Sequence, residues 1–220
     1  MNGPSQPRTD AGQPIKALEH SPPMNTDGHR LNLKAPRSLD VLERLGRGFL
    51  SAEAMLRGAT ETDREHLPSA CRQLLDHPQH MTVVLQESTG EPLELKVLKE
   101  QFDGNEYARM ILLTPRGSDR TVEIGIVRMD LGVMTPEVRR DILERRVPLG
   151  NILIRHDVLR RVEPKRFFRF DATSEIVPFF GEPSIREAFG RVATIHYDHS
   201  AAIELLEVVA YREDAPLGHS

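Results

Sequence analysis

The chain has 220 residues, 39% of them hydrophobic and 28% charged, the balance of an ordinary globular protein and not of a fibrous or membrane-embedded one. Its 29 Lys and Arg against 33 Asp and Glu leave a formal net charge of -4, which gives no global pull toward nucleic acid or acidic lipid. A single cysteine, Cys71, excludes an internal disulfide and a CxxC metal knuckle. No segment approaches the roughly 18 apolar residues of a membrane span, and the first thirty residues lack the apolar core of a secretory signal, so a cytoplasmic protein with no membrane and no nucleic-acid partner is expected.

Residues 1–36 hold Pro4, Pro7, Pro14, Pro22, Pro23 and Pro36 and no aromatic residue, too little apolar surface to offset the entropy of ordering. They read as a disordered leader, and residues 37–220 as one domain. Ser38 before Leu39, Val41, Leu42, Leu45, Phe49 and Leu50 predicts a capped helix ending near Gly58. Pro68 opens a shorter helix through Cys71, Leu74 and Leu75 that stops by Pro78. Residues 81–86, 93–98, 107–114 and 121–129 are apolar or β-branched runs separated by turn-forming groups such as Asp103-Gly104-Asn105, which predicts antiparallel hairpins.

Thr135-Pro136-Glu137 has the order of an N-cap, a first-turn proline and a first-turn acid, and so starts a helix through Ile142 and Leu143. Pro148-Leu149-Gly150 leads into another through Ile152 and Leu153. Extended segments follow at 158–170, 189–196 and 202–211, the last two joined by the turn Tyr197-Asp198-His199-Ser200. Between them Pro178, Gly181 and Pro183 mark 171–188 as an insertion or lid anchored by Phe179 and Phe180. Strands bracketing helices, linked by short hairpins, predict an α+β fold on an antiparallel β-sheet with flanking helices.

Arg109 falls in the strand of Tyr107 to Leu113, and alternation places it on the apolar face of Tyr107, Ile111 and Leu113. Two readings stand: a cation paired internally or reaching water, and a guanidinium held for a substrate carboxylate. Pro148-Leu149-Gly150 is either a simple chain reversal or a helix start whose backbone N–H groups favour an anion. Glu204 and Glu207 alternate to opposite faces of one strand, so one of them belongs to the interior, where desolvation raises a carboxyl's pKa. Which one faces a pocket is left open. His196 and His199 lie on a hairpin turn with no thiolate partner, so no metal site is assigned, and Gly46-Arg47-Gly48 lacks the third glycine of a dinucleotide loop.

The order of these pieces resembles the chorismate pyruvate-lyase family, in its bacterial branch that makes 4-hydroxybenzoate. The matching segments are Leu74-Leu75 before Met81-Thr82, Tyr107 to Leu113, Val147 to Leu153, Leu159 to Arg161, Gly190-Arg191-Val192 and Ala202 to Glu207, spanning roughly residues 67–210. The resemblance implies a chorismate-lyase-like fold and elimination of pyruvate from chorismate with no cofactor. It implies that Arg109 binds a carboxylate, that the backbone N–H of Leu149 helps to hold it, that Glu207 is the acid near the ring oxygen, and that Met81 lines the pocket. Arg191 would then hold a second carboxylate. The same fold serves as a non-catalytic binding module for small molecules such as aromatic acids, in the effector domains of transcription regulators, and that is the alternative. The chain departs from the family in its Val208-Val209-Ala210-Tyr211 ending, where Phe-Pro is usual, and in the longer 171–188 segment.

Overall fold

The computed structural model describes residues 39–158 and 160–212; the expected leader, and Ser38 with it, lie outside them. Seven strands form one fully antiparallel sheet in the order β1-β5-β6-β7-β4-β3-β2. They are β1 (Ala59–Thr62), β2 (Leu93–Asp103), β3 (Glu106–Pro115), β4 (Glu123–Asp130), β5 (Arg160–Phe170), β6 (Ala188–Tyr197) and β7 (Ser200–Ala210). The helices are α1 (Asp40–Gly46), α2 (Ala52–Leu56), α3 (Ser69–Leu75), α4 (Met81–Thr89), α5 (Pro136–Leu143) and α6 (Leu149–Arg155). This is the α+β architecture that the alternation and the hairpin spacing predict. No helix among the described residues is long and apolar enough to cross a membrane.

Period-two alternation gives the central strands two buried faces. One carries Ala108, Met110, Ile124, Ile126, Val192, Leu206 and Val208 against Leu42 and Leu45 of α1, Met55 of α2, and the short 3-10 turn Val177–Phe180. The other carries Ile111, Leu113, Phe189 and Val209 against Cys71, Leu75, Met81 and Leu85 of α3 and α4. Further along that second face, Tyr107, Val127, Met129, Ala193, Ile195 and Leu205 meet Val138 and Ile142 of α5 and Ile152 and Leu153 of α6. Both faces of β3, β4, β6 and β7 are therefore covered, which is why these strands read as nearly continuous apolar runs. Charged side chains on the second face occupy the seam between its two apolar clusters.

Three local expectations need correction. Residues 81–86 are not a strand: they belong to α4, whose Met81 and Leu85 are buried at i, i+4 spacing and whose end is capped by Gly90 at φ 72°. Burial of that stripe outweighs the β propensity of Val83 and Val84. The described part of the stretch 38–58, residues 39–58, is two helices and not one, interrupted at residues 47–51, with Gly48 at φ 84° and a fresh cap where Ser51 Oγ accepts from the Ala54 N–H at 3.1 Å. The 171–188 segment is no lid over the charged seam. Its Ile176, Val177, Phe180 and Ile185 are buried in the first face of the sheet, opposite the face that carries Arg109, Glu123, Arg191 and Glu207.

Two other local signals hold, whereas β1 at Ala59–Thr62 has no counterpart among the expected strands. Thr135 Oγ1 accepts from the Val138 N–H and Pro136 occupies the first turn of α5. Asp198 and His199 at φ 44° and 73° make the two-residue turn between β6 and β7, the positive-φ pair of a type I′ hairpin.

Candidate functional site

The second face of the sheet places Arg109 opposite Val127, Ile111 opposite Gly125, Leu113 opposite Glu123, and Gly125 opposite Glu207, which in turn faces Arg191. Gly125 makes room for the Ile111 side chain, which lies across it: a Cβ there would stand 2.9 Å from Ile111 Cδ1 and Cγ1. Above it the first residues of α4 and α6 close a cavity of about 50 Å³. Met81 and Thr82 line it from α4, Leu149 and Gly150 from α6, and Arg109, Glu123 and Glu207 from the sheet. Gly150 lets the two helix starts approach, since a Cβ on it would lie 3.0 Å from both His80 Cβ and Thr82 Oγ1. The cavity is smaller than the roughly 150 Å³ that holds a benzene ring, so an aromatic ligand requires these two helix starts to part.

Arg109 is 1% exposed. Among the described residues no carboxylate forms an ion pair with it, its Nε makes no hydrogen bond, and Nη1 reaches the Ile142 carbonyl at 3.4 Å, beyond the ordinary N–H···O range. Burial pushes the guanidinium below the usual arginine range, offset in part by Tyr107 and by Glu100, which accepts from the Tyr107 hydroxyl at 2.9 Å. Arginine does not give up its proton in proteins, so the cavity wall holds a cation whose Nε is unmet among the described residues. The internal-salt-bridge reading of Arg109 does not describe this geometry.

Arg191 does a different job from the one the resemblance implies. Its Nε donates to Glu207 Oε2 at 2.6 Å, Nη1 donates to the carbonyls of Leu75 at 3.0 Å and His77 at 2.7 Å, and Nη2 donates to the Gln79 carbonyl at 3.3 Å. It is fully buried outside the cavity and ties the α3–α4 connection to the sheet. With four N–H groups engaged, it has little left for a second ligand carboxylate. Glu207 lines the cavity as the family pattern implies, yet its Oε2 is taken by this arginine. Glu204 is on the opposite face, where Arg44 Nη2 donates to it at 2.7 Å.

The residue missed in the sequence is Glu123. It is 3% exposed, lines the cavity, and its Oε2 has no hydrogen-bond partner among the described residues. Burial drives its carboxyl well above the ordinary carboxyl range, the neighbouring Glu207 charge adds to that, and Arg191 opposes it. The signal was the one that picked out Arg109: in Thr121 to Met129, alternation puts Glu123 on the same face as Val127 and Met129. Cys71, by contrast, is a buried thiol pushed up to about 12 by desolvation, and is no nucleophile.

A pH dependence follows. A carboxyl whose folded pKa exceeds its unfolded one contributes stability that is complete below the unfolded value, near 4.5, and is lost as pH rises through the folded value. The unfolding midpoint is therefore expected to fall as the buffer is taken from about pH 5 to alkaline conditions. Glu123→Gln, with no proton to lose, is expected to flatten that decline. An equally steep decline in Glu123→Gln would assign it to other groups. His77 acts on the acid side: burial and then the Arg191 charge hold its imidazole below the ordinary 6.5, so its contribution is complete above that value and fades as pH falls.

No family model and no curated protein matches the sequence. Among solved structures, the chain is similar to PhnF from Mycobacterium smegmatis at 12% identity and a TM-score of 0.45, over 63% of this chain and 65% of that one. It thus spans just under two thirds of that protein's length. It is similar to the separate effector domain of PhnF at 10% identity and a TM-score of 0.46, over 64% of this chain and 96% of that one.

Proposed function

We propose that this chain is a small-molecule binding module whose cavity takes a small organic acid, with Arg109 gripping the carboxylate. Arg109 is the observation that carries this reading: a buried guanidinium with no carboxylate partner among the described residues and an unused Nε, at the wall of a cavity. Burial of a cation in that condition is costly, and a ligand carboxylate supplies the missing bidentate acceptor. Leu149, which the resemblance matches to a backbone donor for that carboxylate, lines the same cavity from α6. Met81, Ile111 and Leu113 supply apolar surface for the body of the ligand.

A second reading, elimination of pyruvate from chorismate, draws on Glu123. A carboxyl kept neutral by burial is able to give a proton to a departing ether oxygen, which Glu207, tied to Arg191, is poorly placed to do. One experiment separates the two. Purified protein is titrated calorimetrically with benzoate and 4-hydroxybenzoate, and incubated with chorismate while pyruvate release is followed. Saturable binding without pyruvate formation is the expected result. Pyruvate released above the uncatalysed rate would replace the binding reading with the lyase, and absence of both binding and turnover would remove the cavity as a functional site.

A further inference from the structure

Glu123 is unlike the other charged residues of the seam. Glu207 is clasped by Arg191, and Arg191 is spent on Glu207 and three carbonyls. Glu123 lines the cavity, its Oε2 has no partner among the described residues, and its other oxygen, Oε1, is 3.4 Å from where a Cβ on Gly125 would stand. Its carboxyl therefore lies beside Gly125, next to the Ile111 side chain that crosses that glycine. Along the strands Glu123 lies four residues from Val127, the register partner of Arg109, or about 13 Å at the rise of a β-strand. The Arg109 and Glu123 side chains start from opposite ends of that span, with Ile111 and Gly125 between them. A polar group at each end and apolar surface between is the complement of a short rigid molecule with a carboxylate at one end and an oxygen at the other.

We propose that Glu123 is the specificity-determining residue of this cavity, donating a hydrogen bond from its carboxyl to an oxygen at the ligand end opposite the carboxylate. This rests on the binding reading and sharpens it: the preferred ligand is an acid with a hydroxyl or ether oxygen at the end opposite its carboxylate. A buried carboxyl left without that oxygen has an unmet hydrogen bond, which is how a polar pocket rejects an apolar analogue.

The test is calorimetric titration of the full chain with 4-hydroxybenzoate and with 4-methylbenzoate, which replaces the oxygen by carbon. The wild type is expected to prefer the hydroxy acid by about tenfold, a hydrogen bond's worth of discrimination. Glu123→Gln, whose amide still donates, is expected to keep most of that preference. Glu123→Leu is expected to reduce it to within about twofold while binding 4-methylbenzoate at least as well as the wild type. If Glu123→Leu does not fold, as judged by its unfolding transition, Glu123→Met is measured in its place. No preference in the wild type, or a full preference in the apolar variant, overturns the role of Glu123 and leaves the binding reading standing. Failure of the wild type to bind either acid overturns both.

Discussion

Arg191→Met is expected to lower the unfolding midpoint by about 10 °C or more, the largest stability loss of any single change considered. The arginine is fully buried and satisfies Glu207 together with the carbonyls of Leu75, His77 and Gln79. Removing it leaves a buried carboxylate and three carbonyls without their donor. Breaking a buried pair from one side costs about 3–5 kcal/mol, and in a domain of this size 1 kcal/mol moves the midpoint by roughly 2–4 °C. Removing both charges is different. Arg191→Met combined with Glu207→Leu is expected to recover part of the loss, because no unpaired charge remains. Thermal unfolding of both single variants and the double variant measures this, and a midpoint within about 2 °C of the wild type in Arg191→Met would show that the clasp contributes little.

Arg109→Met should behave in the opposite way. Replacing an underpaired buried cation by an apolar side chain of similar length removes a desolvation cost, so the folded state is expected to be as stable as the wild type or more so. Binding of an aromatic acid, in contrast, is expected to weaken by about tenfold to a hundredfold, the range for a hydrogen bond to a charged group. Calorimetric titration with 4-hydroxybenzoate, alongside the unfolding midpoint, reads both. Unchanged affinity in a folded Arg109→Met would take Arg109 out of the site. The divergence between stability and affinity separates a ligand-holding arginine from a structural one such as Arg191.

These two arginines also show how far the sequence could be read. Both stand on predicted strands, at positions where alternation puts them among apolar neighbours, and both are buried as that implies. Their roles differ because of partners far away in the chain. Arg191 meets the 75–79 segment across more than a hundred residues, a contact that no local pattern encodes. Arg109 lacks an ion-pair partner, and that is visible only once every neighbour is in place. The strands 107–114, 121–129 and 202–211 were legible because burial on both faces leaves an apolar run with few interruptions. Residues 81–86 were misread because a short apolar run has no periodicity of its own, and the i, i+4 burial of Met81 and Leu85 depends on the sheet beneath them. Glu123 stands outside the segments that carry the resemblance, which single out Arg109 and Glu207.

The strand order has a temporal consequence. β7, the latest strand in the sequence among those described, sits in the middle of the sheet, between β6 and β4. Until it docks, the chain can build only two separate meanders, β4-β3-β2 with Arg109 and Glu123, and β1-β5-β6 with Arg191. Glu207, carried by β7, is what joins the halves of the seam. On a ribosome the ligand site is thus one of the last things to come into being, and a chain cut short before residue 200 would hold most of the cavity's residues but no cavity. Pairing of that kind closes long loops before it is rewarded, which places this sheet among the slower-folding topologies.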